Sequence, residues 1–198
     1  MIKQTITISA IVALLTIGSV ANQHITHSQV KKQTQQHTNT AEETTLTVEE
    51  SNTLLTQQQE EDLIFLAEEE KVARDVYIYL NNKWKQRVFS NISTSEQKHM
   101  DAVEKLLNTY NLPVPETMDE EGIFIDENLQ AMYDALIEKG EQSLEDALEV
   151  GVEIEEIDID DIQLLLQDTP PSDIAQVYEN LLAGSNNHLN AFNRELSK

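Results

Sequence analysis

The chain alternates apolar and polar residues with the three- and four-residue spacing of amphipathic α-helices over most of its length. The first helix is predicted to begin after Thr56, which forms a capping pair with Gln59, and to end near Lys83. A turn is expected around 89–91, and the second helix then ends near Asn111. Strand-like alternation is scarce, so the pattern indicates an all-α protein.

The second half of the chain contains one short and two long predicted helices. The short helix spans about 127–139, and Gly140 is expected to stop it. Ser143 caps the third long helix, and Ser172 caps the fourth, after a break at two prolines. We expect the four long helices to form an antiparallel four-helix bundle, with the short helix as an extra element between the second and third.

Polar residues occupy positions on the inward-facing stripes of all four long helices, where apolar residues are expected. They are Glu70, Glu96, His99, Glu155, Asp158 and His188. Burying an unpaired charge is unfavourable, so these carboxylates and imidazoles imply a shared partner in the core. Four carboxylates and two imidazoles match the ligand set of di-iron and di-manganese bundles, and they suit Fe, Mn or Zn.

Two of these acids have an alternative explanation that requires no metal. Arg74 follows Glu70 by four residues and can pair with it across one helical turn. If Ser93 caps the second helix, Glu96 belongs to a capping box and faces the backbone instead of the core. Glu69 falls at the edge of the first stripe, so only Glu70 requires a partner there.

For the third and fourth long helices, the polar residues can likewise be either metal ligands or ordinary solvated or hydrogen-bonded residues. Glu155 and Asp158 lie on the inward stripe, whereas the neighbouring acids lie off it and are expected to be solvated. Those neighbours are Glu149, Glu153, Glu156, Asp160 and Asp161. A lone inward histidine such as His188 is usually a hydrogen-bonded core residue. Because it would be the second inward histidine and would face three acid-bearing helices, we favour a ligand role.

Composition and charge narrow the range of partners. The 198 residues include 13 Lys+Arg against 36 Asp+Glu, which gives a formal charge of −23. Such a chain attracts cations and disfavours nucleic acid or an anionic membrane surface as a partner. Cysteine is absent, which excludes disulfides, thiolate metal sites and cysteine nucleophiles.

The N-terminal region predicts export. Residues 1–21 resemble a secretory signal peptide, with Lys3 as the only charge, an apolar run, and small residues up to Ala21 that suit cleavage. An uncleaved membrane anchor is the alternative, although the run is short for a membrane span. Residues 22–52 are rich in Gln and Thr and are expected to be a disordered spacer. The helical domain is therefore assigned to 53–198, in a secreted or extracytoplasmic protein.

Three segments resemble the ferritin-like superfamily, and more narrowly its branch of exported bacterial and archaeal domains of unknown function. They are 68–77 (EEEKVARDVY), 95–100 (SEQKHM) and 184–189 (GSNNHL). The resemblance extends over about 54–196. It implies a ferritin-like bundle that holds a metal centre, and it implies less about the reaction.

The resemblance also implies roles for individual residues. In ferritins and rubrerythrins a first-helix ligand glutamate is followed seven residues later by a tyrosine that hydrogen-bonds near the metals. Glu70 and Tyr77 match that spacing, and Tyr77 is expected to lie behind the ligands. Glu96 and His99 match the Glu-x-x-His pair of the second helix.

The last helix departs from the family pattern. Many members with two metals have a second Glu-x-x-His there, but Ser185 stands at the glutamate position before His188. We interpret Asp158 as the substitute carboxylate and place Ser185 behind the ligands. If Asp158 points away, the centre would hold a single metal.

The leading hypothesis is a ferroxidase-type oxidoreductase that binds two iron ions and oxidises Fe(II) with O₂ or peroxide, with Mn or Zn as alternative metals. One rival is a non-catalytic metal-binding module. Another is a helical interaction domain whose inward acids pair with Lys71, Arg74 or Arg194. The long spacer disfavours a cage like that of ferritin, whereas a homodimer is compatible with it.

Overall fold

The computed structural model describes residues 55–198, so the predicted signal segment 1–21 and spacer 22–52 lie outside the described residues. Within this range the chain forms five α-helices and no strand, which confirms the predicted all-α class. The helices are α1 (Gln57–Trp84), α2 (Arg87–Thr109), α3 (Glu127–Gly140), α4 (Leu144–Gln167) and α5 (Ser172–Leu196). None of these five is both long enough and apolar enough to cross a lipid bilayer.

Side-chain caps determine where three of the helices begin. Thr56 and Gln59 form the predicted capping box at the start of α1, where each side chain accepts from the other residue's backbone N–H. Ser143 accepts from the backbone N–H of Asp146 at the start of α4, also as predicted. Asp126 accepts in the same way at the start of α3. These bonds satisfy N–H groups that would otherwise have no partner in the first turn.

The predicted turn around 89–91 is wrong, because α2 already begins at Arg87. The chain reverses earlier, where Lys85 adopts a left-handed backbone conformation with φ of 54° and ends α1. Phe89 is therefore helical and fully buried, with its ring centroid 5.6 Å from that of Phe192 on α5. Burial of this aromatic ring favours an early start of α2 over a serine-capped one.

Two smaller boundaries also differ from the prediction. Pro171 is the N-cap of α5, and Ser172 is the first helical residue. Gly140 does not stop α3 but is its last residue, because its missing side chain is needed for packing. A Cβ at Gly140 would lie 2.8 Å from a methyl carbon of Leu80 on α1.

The packing brings the four long helices around a common interior. Helix α1 contacts α2 and α4, and α5 contacts the same two helices, so the four form a closed cycle while α3 packs on α1 and α4. One apolar cluster surrounds Tyr77, Phe89 and Phe192, and a second includes Leu107 and Ile162. Along each long helix, the inward polar residues fall between the residues of these two clusters.

Candidate metal centre

Two groups of three buried side chains converge between the apolar clusters, and Glu96 belongs to both. One group is Glu70, Glu96 and His99, and the other is Glu96, Glu155 and His188. In each group the potential ligand atoms lie within 4.8 Å of one another. Glu96 lies in the middle of α2 and not in its first turn, so the capping-box alternative is wrong. The structure thus brings together predicted ligands from α1, α2, α4 and α5.

The two carboxylate oxygens of Glu96 face different histidines. Oε2 lies 2.7 Å from His99 Nδ1, and Oε1 lies 2.8 Å from His188 Nδ1. Each imidazole nitrogen has a second carboxylate nearby, with Glu70 Oε2 at 3.2 Å from His99 and Glu155 Oε2 at 3.4 Å from His188. The two rings are stacked, with centroids 5.5 Å apart. One carboxylate therefore connects two matching half-sites.

Several of these converging atoms are buried without a well-directed hydrogen bond. Among residues 55–198, the oxygens of Glu96 and Nδ1 of His188 make no hydrogen bond of good angular geometry, although each Glu96 oxygen lies within 2.8 Å of a histidine Nδ1. Oε1 of Glu70 and Oε2 of Glu155 are likewise unsatisfied within this range. Buried polar atoms are normally paired, so a cluster of such orphans at close range fits ligand atoms arranged around a cation.

The neighbouring charges shift the protonation of the centre. Burial raises the pKa of Glu155 to about 7, opposed by His188. Burial alone would lower the pKa of His99, but Glu70 and Glu96 outweigh it and raise that pKa to about 10. For Glu96, burial raises the pKa, but the two histidines outweigh it and lower the value. Without a metal, the centre therefore pairs protonated imidazoles with an ionised Glu96.

Asp158 is buried beside these two groups without belonging to either. Its Oδ2 has no hydrogen-bond partner in the described part of the chain. Burial raises the pKa of Asp158 well above its usual value, with further contributions from Glu70 and Glu155. Counting Glu96, four carboxyl groups lie close to two imidazoles, and burial raises the pKa of Glu70, Glu155 and Asp158, which opposes their ionisation. A bound divalent cation would favour the ionised form of these acids.

Tyr77 and Ser185 differ in what they contact. Tyr77 is fully buried and donates its hydroxyl to Oε1 of Glu155 at 2.7 Å. Burial, followed by Glu155, raises the pKa of Tyr77 well above its usual value, so the phenol remains a donor. Ser185 instead donates to the backbone carbonyl of Leu181 on its own helix at 3.1 Å. It therefore does not substitute for a ligand carboxylate.

Lys71 and Arg74, the basic residues that follow the acidic run 68–70 on α1, pair with Asp75 and not with the glutamates of the centre. Arg74 Nε donates to Asp75 Oδ1 at 2.8 Å and does not pair with Glu70, so that alternative is wrong. Lys71 is fully buried, pairs with Asp75 at 2.7 Å, and donates to backbone carbonyls of the segment 120–123. Within residues 55–198, the ion pairs of the centre's glutamates are with histidines only.

The loop between α2 and α3, which contains the segment 120–123, also contacts Glu68. This side chain accepts from the backbone N–H of Ile125 at 2.7 Å and from the hydroxyl of Thr117 at 3.2 Å. The connection between α2 and α3 therefore covers the face of α1 that points away from the centre. For this reason the acid run 68–70 is buried on both faces and not solvated.

Two of the buried acids outside the predicted ligand set are Glu69 and Asp161. Glu69, at the edge of the stripe, is 3% exposed, and Asp161, predicted to be solvated, is 6% exposed. Asp161 follows Asp158 by three residues, so a wider inward face of α4 would have included it. The other acids set aside on α4 are exposed or half-buried: Glu149, Glu153, Glu156 and Asp160.

Gly184 is a further part of the site that the sequence analysis missed. A Cβ at this position of α5 would lie 2.5 Å from Nε2 of His99. The absence of a side chain therefore permits the close approach of α5 to this imidazole. The sequence does contain a sign of this role, because Gly184 lies inside a predicted helix, where glycine is unfavourable and is usually required by close packing.

The chain was compared with known proteins. The family described as an uncharacterized protein domain (DUF2202) matches residues 59–198. The chain is 50% identical over 132 residues to the uncharacterized protein MJ0754 of Methanocaldococcus jannaschii, covering 67% of this chain and 71% of that protein. It is similar to the crystal structure of hypothetical protein MJ0754 from Methanococcus jannaschii DSM 2661, with a TM-score of 0.71 and 48% identity. That match covers 72% of this chain and 82% of the other.

Proposed function

The chain belongs to the DUF2202 family, and we propose that it is an exported, ferritin-like four-helix bundle that binds two metal ions, preferentially iron. The proposed reaction is oxidation of Fe(II) by O₂ or peroxide. Fe(II) is the substrate, and each ion gives up one electron. The two electrons from two Fe(II) ions, together with two protons, reduce O₂ to H₂O₂, or reduce H₂O₂ to two molecules of water. A stable, non-catalytic metal site is the second candidate, because the same ligand arrangement supports it.

The main support for this proposal is the position of Glu96. Its two oxygens lie 2.7 Å and 2.8 Å from the Nδ1 atoms of His99 and His188, so a single carboxylate is shared by two half-sites. Carboxylate bridges between facing helices are the way di-metal bundles hold two ions close together. Glu70 and Glu155 complete the half-sites on either side.

The side chains of the centre have distinct tasks in this reaction. Each half-site offers three side chains, fewer than an octahedral metal accepts, which leaves room for an oxidant. Tyr77 orients Glu155 through its 2.7 Å hydrogen bond and cannot itself titrate near neutral pH. The surrounding apolar clusters exclude bulk water and strengthen the attraction between the carboxylates and a cation.

The oxidation itself is tested with two adjacent acids. Glu155 is fully buried in the centre, whereas Glu156 is exposed on the next position of α4. We expect Fe(II)-dependent oxygen consumption by the purified protein to be lost in Glu155→Gln and retained in Glu156→Gln. Oxygen uptake after anaerobic loading with Fe(II) measures this. Tight iron binding without oxygen uptake would favour the non-catalytic site, and equal effects at both positions would indicate a diffuse acidic surface.

A second test uses backbone packing and leaves every ligand in place. The methyl group of Gly184→Ala would lie 2.5 Å from Nε2 and 2.7 Å from Cε1 of His99, so the imidazole must move. His188 Cε1 would be 3.9 Å away, an ordinary contact. We therefore expect the variant to lose metal from the His99 half-site and to keep the His188 half-site.

The matched control for this variant is Asn187→Ala, an exposed position on the same helix. Metal content per chain and helical circular dichroism are measured on both variants. An unchanged metal content in Gly184→Ala would contradict a ligand role for His99.

A further inference from the structure

The two imidazoles are the outermost side chains of the proposed centre. The side chains of His99 and His188 are each 10% exposed, whereas that of Glu70 is 1% exposed and those of Glu96 and Glu155 are 0% exposed. Nδ1 of each ring faces Glu96 in the interior, at 2.7 Å for His99 and 2.8 Å for His188. Within residues 55–198, each ring therefore reaches from the shared carboxylate toward the surface.

This exposed side of the centre lies between α2 and α5, the two helices that carry the histidines. In the cycle of four long helices, the seam between α2 and α5 is opposite the seam between α1 and α4. Helix α3 packs on α1 and α4 and covers the seam between them. Among the described residues, no helix covers the α2–α5 seam in this way, so the histidine side of the bundle is the thinner one.

Small residues flank each histidine on its own helix. They occupy the fourth position before it and the third position after it, which share its helix face. All four are half-buried: Ser95 and Ala102 around His99, and Gly184 and Ala191 around His188. A helical side chain lies over the turn N-terminal to its own Cα, so a longer side chain three residues after a histidine would cover the imidazole.

The contact between the seam and the centre is closest at Gly184. A Cβ at this position would lie 2.5 Å from Nε2 of His99 and 3.9 Å from Cε1 of His188, so the glycine lies beside both rings. Gly184 is itself only half-buried. Glycine backbone alone therefore lies between the Nε2 edge of His99 and the surface at this point.

We propose that divalent ions and the oxidant enter the centre between α2 and α5, past the imidazoles of His99 and His188, and that the four small residues around these rings keep the route open. The inference rests on the proposed metal centre and adds the path by which its reactants arrive. Such a path suits small reactants, which include a divalent ion, O₂ and H₂O₂. The formal charge of −23 attracts cations to the surface from which they enter.

The test measures how fast metal-free protein takes up Zn²⁺, by rapid mixing with a zinc indicator. Ala102→Leu places a longer side chain over His99 and replaces no ligand, whereas Ala183→Leu makes the same change at an exposed position of α5. We expect Ala102→Leu to slow uptake about tenfold or more relative to Ala183→Leu, because the leucine must move before an ion passes. Both variants should bind the same number of Zn²⁺ ions at equilibrium. Ala191→Leu repeats the comparison over His188, and circular dichroism verifies that each variant is folded.

The outcomes separate this route from the proposed function. If folded Ala102→Leu and Ala191→Leu take up Zn²⁺ as fast as Ala183→Leu, ions enter elsewhere and the inference is wrong. Fewer ions bound at an unchanged rate would also overturn it, because the leucines would then disturb the ligands and not the route. Slower uptake without any Fe(II)-dependent oxygen consumption by the wild type would support the route and contradict the oxidation. A wild-type protein that binds no Zn²⁺ would overturn both.

Discussion

Replacing Glu96 by glutamine is expected to remove the metal from both half-sites, whereas Glu70→Gln should remove it from one. Glu96 is the residue common to both groups, and its two oxygens face His99 and His188 separately. The glutamine amide has the same shape as the carboxylate but no charge, and only its oxygen atom can bind a metal ion. Losing an outer hydrogen-bonding partner of a ligand already weakens metal binding by roughly 10–100-fold, so loss of a shared ligand should exceed that.

Glu156→Gln is the control for this comparison, because it makes the same chemical change at an exposed position. Metal content after dialysis and titration with Zn²⁺ or Mn²⁺ measure the effect in all three variants. If Glu96→Gln and Glu156→Gln bind metal equally well, the short Glu–His contacts are ion pairs between protonated imidazoles and carboxylates, and there is no metal centre.

The helices could be predicted from the sequence because each long helix has a clear apolar stripe and local capping residues. Thr56 and Ser143 act locally, so their roles were visible in the sequence and are confirmed. The start of α2 was not predictable in this way. It depends on burial of Phe89 against Phe192, about a hundred residues away, and a serine-rich segment looked like a cap when helix periodicity alone was considered.

Five of the six predicted ligands converge, because they lie on the inward stripes of their helices and therefore point into the core. The prediction failed at Asp161 because the stripe was drawn too narrow, although an inward face spans at least about 100° of the helix. The burial of Glu68 has another cause. Helix α1 is covered by the loop before α3 on its outer side, through contacts of Lys71 and Asp75, and no periodicity along α1 reveals that cover.

Asp158→Asn is expected to stabilise the metal-free protein and to weaken metal binding. The carboxylate is buried, has an oxygen without a partner in the described range, and is surrounded by Glu70 and Glu155. The amide of asparagine is still polar but cannot ionise, so the substitution removes the cost of burying an ionisable carboxyl group, about 1–3 kcal/mol. In a domain of this size that gain corresponds to a rise in Tm on the order of 2–10 °C. A residue that costs stability without metal is one whose role lies in binding.

The stabilisation should also depend on pH with a defined sign. Burial raises the folded-state pKa of Asp158 above its unfolded value of 3.8, so the wild-type carboxyl group destabilises the metal-free fold progressively as pH rises above about 4. The advantage of Asp158→Asn should therefore be small near pH 4 and larger at neutral pH. Melting curves of chelator-treated protein across this range measure it, with exposed Asp160→Asn as the control.

With saturating metal the stability advantage of Asp158→Asn should become smaller. Metal at about 100 times its Kd stabilises the wild type by about 2.7 kcal/mol, and the variant should gain less because it lacks a carboxylate that faces the centre. Wild type and Asp160→Asn should then melt at similar temperatures, with a larger metal-induced shift than Asp158→Asn. If Asp158→Asn binds metal as well as Asp160→Asn does, Asp158 is not the substitute for the carboxylate missing at Ser185, and the centre holds its ions with three glutamates and two histidines.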